Sequence, residues 1–387
     1  MNEDCQYRAD TKRNEYLFQT EFAFNTKKSA WVKAFTDHFR VLCSRIHEMQ
    51  VYSALSSISQ LDYTMLYTSF INRQYISDIF AYNEKSYLDK NQCHLGSYNI
   101  SIIFPYFDQL WNDLLNLRKR YIGQVSAREI TLYMLETLPD FYSYLTSVAR
   151  MAIAECVDKS PLTDIKKNET FTINVGDYMT KTEPVYVEKK TKNAEKIVER
   201  FNEQSGDKYT FGDYSFLDFS GHIFPYLDLR YSQFRSSSLR STSLAGSSLI
   251  GVNFQRADME NCILDNCSLY EADFTEAKLR YASMKNIVAK TGLAKENEWK
   301  FVGFLPAVFR NADLIGANFY GANLAGADFS GAVLSGVNFR NANLDSADFT
   351  DANITDADFS DATMNNTIIH SSDALLSGKQ KDLIIIK

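Results

Sequence analysis

The chain has 387 residues, 45% hydrophobic and 23% charged, which is the composition of a soluble globular protein with more than one core. It has no run of the ~18 apolar residues that a membrane-spanning helix needs, so we expect no membrane association. The start, Met1–Asp4, is polar and lacks the apolar segment of a secretory signal, so we expect a cytoplasmic protein. The net charge of −7 arises in residues 201–387, which hold 16 basic and 23 acidic residues.

The apolar residues of the N-terminal half recur at helical spacing. Steps of four and three, which place side chains on one face of a helix, separate Phe35, Phe39, Leu42, Ile46 and Met49. The same periodicity predicts helices at 110–121, at 130–138, and from Pro139 to about Val157, and residues 61–90 also read as helical. We therefore predict an all-α domain of five or six helices over residues 1–158.

Residues 159–208 are predicted to connect this domain to the rest of the chain. The stretches 170–175 and 185–188 alternate between apolar and polar residues, which is typical of a short hairpin. Residues 192–203 are predicted to form a polar helix.

A five-residue period governs the sequence from Ala312 onward, which reads ADLIG ANFYG ANLAG ADFSG AVLSG VNFRN ANLDS ADFTD ANITD ADFSD ATMNN. Each group has an apolar residue at its centre and a small residue, Ala or once Val, two positions earlier. A helix would spread these centres over all of its faces, and a flat strand would alternate them between two faces. A coil that turns a corner every five residues keeps every centre inside, so four groups make a 20-residue coil. Gly is favoured at the corners.

The same register runs less strictly through an earlier block, with centres from Tyr214 to Met284. The 28 centres of the two blocks predict about seven coils. Cys262 and Cys267 fall at small-residue positions, so we expect them to point inward as inert thiols. Three residues are too large for the small positions that they occupy and are expected to mark the junction with the N-terminal domain: Leu217, His222 and Leu227.

This sequence resembles the pentapeptide-repeat family, whose consensus is A(D/N)LXX, over residues 209–370. The resemblance implies a right-handed quadrilateral β-helix, and it implies no single activity, because a fold does not fix a function. The predicted fold class is thus α plus β-solenoid, with an all-α N-terminal domain followed by this β-helix.

The repeat is interrupted at about 286–307 and ends before a tail. The interruption preserves the five-residue register, so either a degenerate coil or an extruded loop fits. Projecting loops matter in the quinolone-resistance members of the family, and the candidate partner contacts here are Lys295, Glu296, Glu298 and Trp299. The tail, residues 371–387, is predicted to be either a cap or a dimer contact, so a homodimer is one option.

The acidic residues of the repeat form two sets. One set stands just before a centre, where a short carboxylate can hydrogen-bond local backbone: Asp313, Asp328, Asp348 and Asp358. The other set follows the centres, points outward without a role in the repeat, and is a candidate partner-binding surface: Asp345, Asp351, Asp356 and Asp361. A solvated surface that prevents end-to-end association is the alternative explanation. Because residues 20 apart should be neighbours, Arg240, Glu260 and Arg280 should form a column of alternating charge.

The sequence carries no motif of a known catalytic, metal or nucleotide site. HExxH, GxSxG, GxGxxG, P-loop and EF-hand patterns are all missing. His38 and His47 share a predicted helix but face in different directions. The six cysteines form no CxxC pair and read as free thiols in a reducing cytoplasm. We predict a protein that is not an enzyme and has no cofactor or metal.

Three functions fit these features. The first is a scaffold that mediates protein–protein interaction with an unidentified partner. The second rests on family members that resemble a DNA duplex and bind gyrase, which they protect or inhibit. The acidic repeat half fits this function, whereas Arg230, Arg235 and Arg240 do not. The third is a bacterial effector. Direct nucleic-acid binding is not expected, because no basic stripe is present.

Overall fold

The computed structural model describes residues 3–83, 92–157, 159–177, 182–203, 209–290 and 305–369, together with the backbone of 384–386. The chain divides into two compact units, with the boundary after Lys190. In the described ranges, none of the helices combines the length and the apolar character needed to span a membrane.

The first unit contains three long helices and one short helix. These are α1 (Glu3–Val51), α2 (Tyr67–Ile71), α3 (Pro105–Arg118) and α4 (Ala127–Ala154). Helix α1 packs on α3 and α4, and tyrosine hydroxyls tie the helices together at their polar margins. Tyr16 donates to Asp113 of α3 over 3.0 Å, and Tyr133 of α4 donates to Asp10 over 2.8 Å. The abundance of tyrosine in this half therefore serves helix packing as well as the core.

A five-stranded sheet corrects the prediction of an all-α domain. Its strands are β1 (Ile58–Met65), β2 (Ile76–Tyr82), β3 (Cys93–Asn99), β4 (Lys167–Asp177) and β5 (Thr182–Lys189). The sheet order is β3-β2-β1-β4-β5, and the β1–β4 pair is parallel whereas the others are antiparallel. The segment 61–90 was predicted to be helical, but within its described part, residues 61–83, only Tyr67–Ile71 is helix, whereas 61–65 and Ile76–Tyr82 are strand.

Burial on both faces explains why β1 does not read as a strand in the sequence. Leu61 and Tyr63 are buried on one face, and Asp62 and Thr64 are buried on the other. Asp62 is accommodated because Asn174 of β4 donates to its carboxylate over 2.7 Å. A strand buried on both faces loses the alternation of apolar and exposed polar residues on which a strand prediction rests.

Two predicted boundaries also change. Pro139 does not begin a new helix but lies inside α4, where its neighbours Leu138 and Phe141 are buried and hold the helix in place. The predicted connecting segment contributes β4 and β5 to the sheet of the first unit. A hairpin read as a linker is thus part of the core of this unit, because β4 pairs with β1.

In the second unit, a helix covers the first turn of the repeat. Helix α5 (Ala194–Glu203) places Phe201, 1% exposed, against the apolar centres at the start of the repeat. Its ring lies 5.9 Å from that of Phe219 and 5.2 Å from that of Phe224. Lys192, just before the helix, pairs with the buried carboxylate of Asp213 at 2.6 Å. Helix α5 therefore supplies the end cover that a stack of coils needs.

The repeat forms a stack of 20-residue coils, here called the repeat stack. Parallel bridges join each outward residue before a centre to the residue 20 positions later, as in Asp213↔Gln233 and Gln233↔Asn253. The centres and the small residues before them are buried in one continuous core. By this spacing the coils are 212–231, 232–251, 252–271, 272–290, 307–326, 327–346 and 347–366.

The interruption of the repeat is an insertion and not an irregular coil. Asp273 bridges to Val308, a separation of 35 residues, so 15 residues are added to the usual 20. The bridge from Val308 to Asp328 restores the separation of 20. The candidate contacts Lys295, Glu296, Glu298 and Trp299 lie outside the described residues.

At the far end of the stack, three short strands pair in parallel. They are β6 (Asp348–Phe349), β7 (Thr367–Ile369) and β8 (Ile384–Ile386), in this order. The end of the chain thus adds a strand beside the last part of the stack. Whether residues 371–387 serve as a cap or as a dimer contact stays a prediction.

The corners of the coils have left-handed backbone geometry. The residue two positions after each described centre has a φ near +60°, for example Gly316 at 66° and Gly331 at 68°. Non-glycine residues also occupy such corners, among them Asn261 at 58°. Asn, Asp and Gly tolerate this region best, which accounts for their frequency at this position.

Candidate interaction surfaces of the repeat stack

The aspartates before the centres hold the backbone of the repeat, as predicted. Asp328, Asp348 and Asp358 each accept a hydrogen bond from the backbone N–H two residues later, over 3.0, 2.9 and 2.9 Å. Asp313 makes the same contact at 3.5 Å. These carboxylates replace a backbone turn bond and are engaged within the repeat.

The four candidate partner-binding aspartates have different environments. Asp345 is half-buried, and its carboxylate accepts hydrogen bonds from the backbone and the amide of Asn365 over 2.8 and 2.9 Å. Asp351, Asp356 and Asp361 are exposed at three successive corners, with φ of 58°, 57° and 59°. The expectation that they have no role in the repeat is therefore wrong, because each occupies a left-handed corner that favours Asp.

Basic residues of the stack pair with acids of the next coil. Arg240 lies 3.1 Å from Asp258 and 2.7 Å from Glu260, while Arg280 reaches Asp313 at 2.6 Å. The predicted column of Arg240, Glu260 and Arg280 thus forms its first pair, and Arg280 turns toward the following coil. Since these pairs are exposed, each contributes little stability, about 0–1 kcal/mol.

The most acidic part of the stack is its end. Residues 341–369 contain six Asp and no Lys or Arg, a net charge of −6. By contrast, residues 305–340 contain two Asp and two Arg, a net charge of zero. Arg340 lies 3.8 Å from Asp358 and offsets part of this charge. The acidic surface is therefore a feature of the last coil and not of the stack as a whole.

Large apolar side chains are most exposed on the first coil. Phe216 is 69% exposed, Ile223 70% and Tyr226 80%. The later coils expose Ile263 at 41%, Tyr281 at 60% and Tyr320 at 44%. Ile223 and Tyr226 lie only three positions apart on the first coil, and large exposed apolar side chains this close together mark interaction sites. The outward positions of these residues follow from the five-residue register, but they were not recognised as candidate contacts from the sequence.

The thiols are chemically unreactive where they are buried. Cys262 and Cys267 point into the core of the stack, and burial raises the pKa of Cys267 to about 12. Burial likewise raises the pKa of Cys43 to about 12. None of the six cysteines, all of which lie in the described ranges, forms a disulfide. A thiol kept protonated in this way is a poor nucleophile and a poor metal ligand.

His38 is held in an aromatic cluster of the first unit. Its ring lies 4.4 Å from that of Tyr98 and 5.9 Å from that of Tyr63. Burial lowers the pKa of His38 to about 4, so the imidazole is neutral near pH 7. Among the residues that the structure describes, no group of three or more His, Cys, Asp or Glu side chains is arranged to hold a metal ion.

Asp62 is a buried acid of the first unit that the sequence did not reveal. Its carboxylate accepts bonds from Asn174 and from Gln60, each over 2.7 Å. Burial raises its pKa, and these two amide donors oppose that effect. Because Asp62 lies on β1, which read as helical, no sequence signal brought it together with Asn174.

The comparisons with known proteins concern the repeat. Residues 303–375 match the family model described as a pentapeptide repeat region, and residues 228–266 and 253–288 match the model for pentapeptide repeats in eight copies. The C-terminal half of this chain is therefore a pentapeptide-repeat region, as predicted. No curated protein matches the chain.

Several solved structures are similar to part of the chain. A trypsin-treated variant of QnrB1, a plasmid-mediated fluoroquinolone resistance protein, is 20% identical over 41% of this chain and 80% of its own, with a TM-score of 0.28. HetL, involved in heterocyst differentiation regulation in the cyanobacterium Nostoc, is 20% identical over 45% of this chain and 98% of its own, with a TM-score of 0.18. A pentapeptide repeat protein of the Arabidopsis thaliana thylakoid lumen is 23% identical over 46% of this chain and 77% of its own, with a TM-score of 0.15. None of these similarities covers half of this chain.

Proposed function

We propose that this protein is a non-enzymatic scaffold that binds another protein through the repeat stack. The observation that carries the proposal is the apolar surface of the first coil, where Phe216, Ile223 and Tyr226 are each at least 69% exposed. Exposed aromatic and aliphatic side chains of this size are the residues from which protein interfaces are built.

The repeat stack holds this surface in place. We propose that the stack is a right-handed quadrilateral β-helix. Bridged residues lie 20 positions, or four pentapeptides, apart, and a left-handed corner follows each centre. Four corners per coil support a coil with four sides. A crystal structure of the full chain tests the hand and the number of sides.

A capture experiment tests the binding proposal. The full-length chain is immobilised in three forms: wild type, a variant with Phe216→Ser, Ile223→Ser and Tyr226→Ser, and a control with Tyr281→Ser and Tyr320→Ser. We expect proteins from the source cells that bind wild type and control to be lost from the first variant. Equal capture by all three forms, with equal melting temperatures, would contradict the proposal.

Interaction with DNA gyrase is a second candidate, favoured by the six aspartates of residues 341–369. Ion pairs such as Arg240–Glu260 and Arg280–Asp313 oppose it, because they alternate the sign of charge along the stack. A supercoiling assay with and without a quinolone tests it. Inhibition or protection that fades after Asp351→Asn, Asp356→Asn and Asp361→Asn would support gyrase as the partner, and no effect at micromolar protein would exclude it.

A cytoplasmic location and self-association are further parts of the proposal. Six cysteines outside any disulfide, five of them buried, support a reducing compartment. Sedimentation of the purified chain tests self-association, since a homodimer would double the mass.

A further inference from the structure

In each pentapeptide of the repeat stack, the residue before the centre bonds to the preceding coil through both of its backbone groups. Ser243 of the second coil illustrates the pattern: its N–H donates to His222 O over 2.9 Å, and its C=O accepts from Phe224 N over 2.7 Å. Both backbone groups of such a residue point toward the preceding coil. Ile263, 20 residues later, repeats the pattern with Thr242 and Leu244 at 2.9 and 2.8 Å.

Ile223 is the equivalent residue of the first coil, which no earlier coil precedes. Within the described part of the chain, the N–H and the C=O of Ile223 have no backbone partner, and the same holds for Asp218 one pentapeptide earlier. Ile223 is 70% exposed, and Tyr226 beside it is 80% exposed. An unpaired strand edge that carries exposed apolar side chains is a template for a further strand.

Helix α5 covers the core at this end but does not continue the ladder. Phe201 rests on the inward rings of Phe219 and Phe224, whereas no described backbone group bonds to the N–H or the C=O of Ile223. Asp218 is exposed, is paired with no cation among the described residues, and has its pKa lowered chiefly by a hydrogen bond from Ser220. This edge thus offers backbone bonds, an apolar contact and one negative charge in a fixed order.

We propose that the first-coil edge, formed by Asp218 and Ile223, binds an extended segment of a partner polypeptide that adds one parallel strand to the repeat stack. The edge is continuous with the ladder that joins the coils, so the segment follows the same parallel register. Charge complementarity favours a Lys or Arg opposite Asp218. Five residues later, the exposed apolar side chain of Ile223 favours a β-branched residue opposite it. The inference rests on the proposed function only in taking the partner to be a protein.

The test uses a labelled peptide of defined sequence, GAKLSGVIFRNA. It copies residues 331–342 with Val333→Lys and Asn338→Ile, which places the two required residues at the right spacing. We expect saturable binding to the full chain by fluorescence anisotropy, in the roughly micromolar to millimolar range typical of small contacts. N-methylation of the peptide at its Phe, whose N–H would donate to Ile223 O, should weaken binding about tenfold or more.

Matched variants of the protein make the test specific to the edge. Ile223→Lys should weaken binding about tenfold or more, because it removes the apolar contact and introduces a charge that protects strand edges. Ile263→Lys should bind as wild type does, because the backbone of Ile263 is already paired within the stack.

Two results would overturn the proposal: no saturable binding at millimolar peptide, or equal binding by wild type and a folded Ile223→Lys variant. If either occurs while capture still depends on the first coil, the scaffold function stands and strand addition is wrong.

Discussion

Replacing Gly251 by Ala tests how the corners of the stack are built. Gly251 has a φ of 64°, and an added Cβ would lie 2.5 Å from Cε1 of Tyr231 in the coil below. The Tyr231 ring cannot simply move away, because it stacks on Phe211 at 5.4 Å. The left-handed geometry costs an Ala roughly 1–2 kcal/mol, and the steric overlap adds about 1–3 kcal/mol.

Gly336 provides the matched control. Its φ is 68°, but an added Cβ there would meet nothing within 4 Å, so Gly336→Ala should cost only the conformational term. We expect Gly251→Ala to lower the free energy of unfolding by about 1–3 kcal/mol more than Gly336→Ala does. Urea unfolding followed by circular dichroism measures this difference as a midpoint shift on the order of 1 M.

A double substitution decides whether the ring is the cause. The double variant Tyr231→Ala/Gly251→Ala should have nearly the same free energy of unfolding as the double variant Tyr231→Ala/Gly336→Ala. Without the Tyr231 ring, the Cβ added at position 251 no longer meets a clash. Equal midpoints for the two single Gly variants would refute the argument that a ring of one coil rests on the glycine of the next.

Three further predictions concern the core, the cap and pH. Leu324→Asp should unfold the stack, because a carboxylate would be buried without a partner at a fully buried position, whereas Tyr320→Asp should melt near wild type; circular dichroism melting checks both. Phe201→Ala should lower the free energy of unfolding by about 3–5 kcal/mol, because Phe201 is the aromatic cover of the first coil, and an unchanged urea midpoint would contradict this role. Folded His38 stays neutral down to about pH 4, whereas in the unfolded chain it takes up a proton below about pH 6.5. The contribution of His38 to the free energy of unfolding is therefore fully present above pH 6.5 and falls as the pH drops toward 4. His38→Gln should show a smaller loss of melting temperature between these pH values, and an identical loss would assign acid sensitivity to other groups.

The repeat was predictable because every five-residue group has the same pattern of buried, small and corner positions. A centre such as Leu324 and the small Ala322 before it are buried through contacts made by equivalent residues of the neighbouring coils. The period therefore appears in the sequence without reference to any distant segment. The length of the insertion did not follow from the period, because a degenerate coil and an extruded loop both keep the register, and the bridge from Asp273 to Val308 decides between them.

The roles of Asp351, Asp356 and Asp361 were available in the sequence but were not recognised. They occupy the same place in the pentapeptide as Gly316 and Gly331, which the sequence analysis assigned to corners. Aligning the five-residue groups by position, and not by residue type, would have placed these aspartates at corners too.

The sheet of the first unit could not be predicted in this way. Strand β1 pairs with β4 more than 100 residues away, as in Leu61↔Ile173, so its neighbour in the sheet is remote in sequence. Asp62 looks like a solvated residue until Asn174 is placed beside it. Helix α5 was read as polar because a single side chain, Phe201, makes its main contact with the stack.

Site-specific photo-crosslinking tests the scaffold function most directly. A benzoylphenylalanine is introduced in place of Tyr226 on the first coil or, as a control, in place of Tyr320 on the fifth coil, and each full-length protein is irradiated in its source cells. The account predicts a discrete crosslinked protein partner for the Tyr226 position and none for the Tyr320 position. The absence of any adduct at Tyr226, or the same adducts at both positions, would contradict the claim that the first coil of the stack is a protein-binding surface.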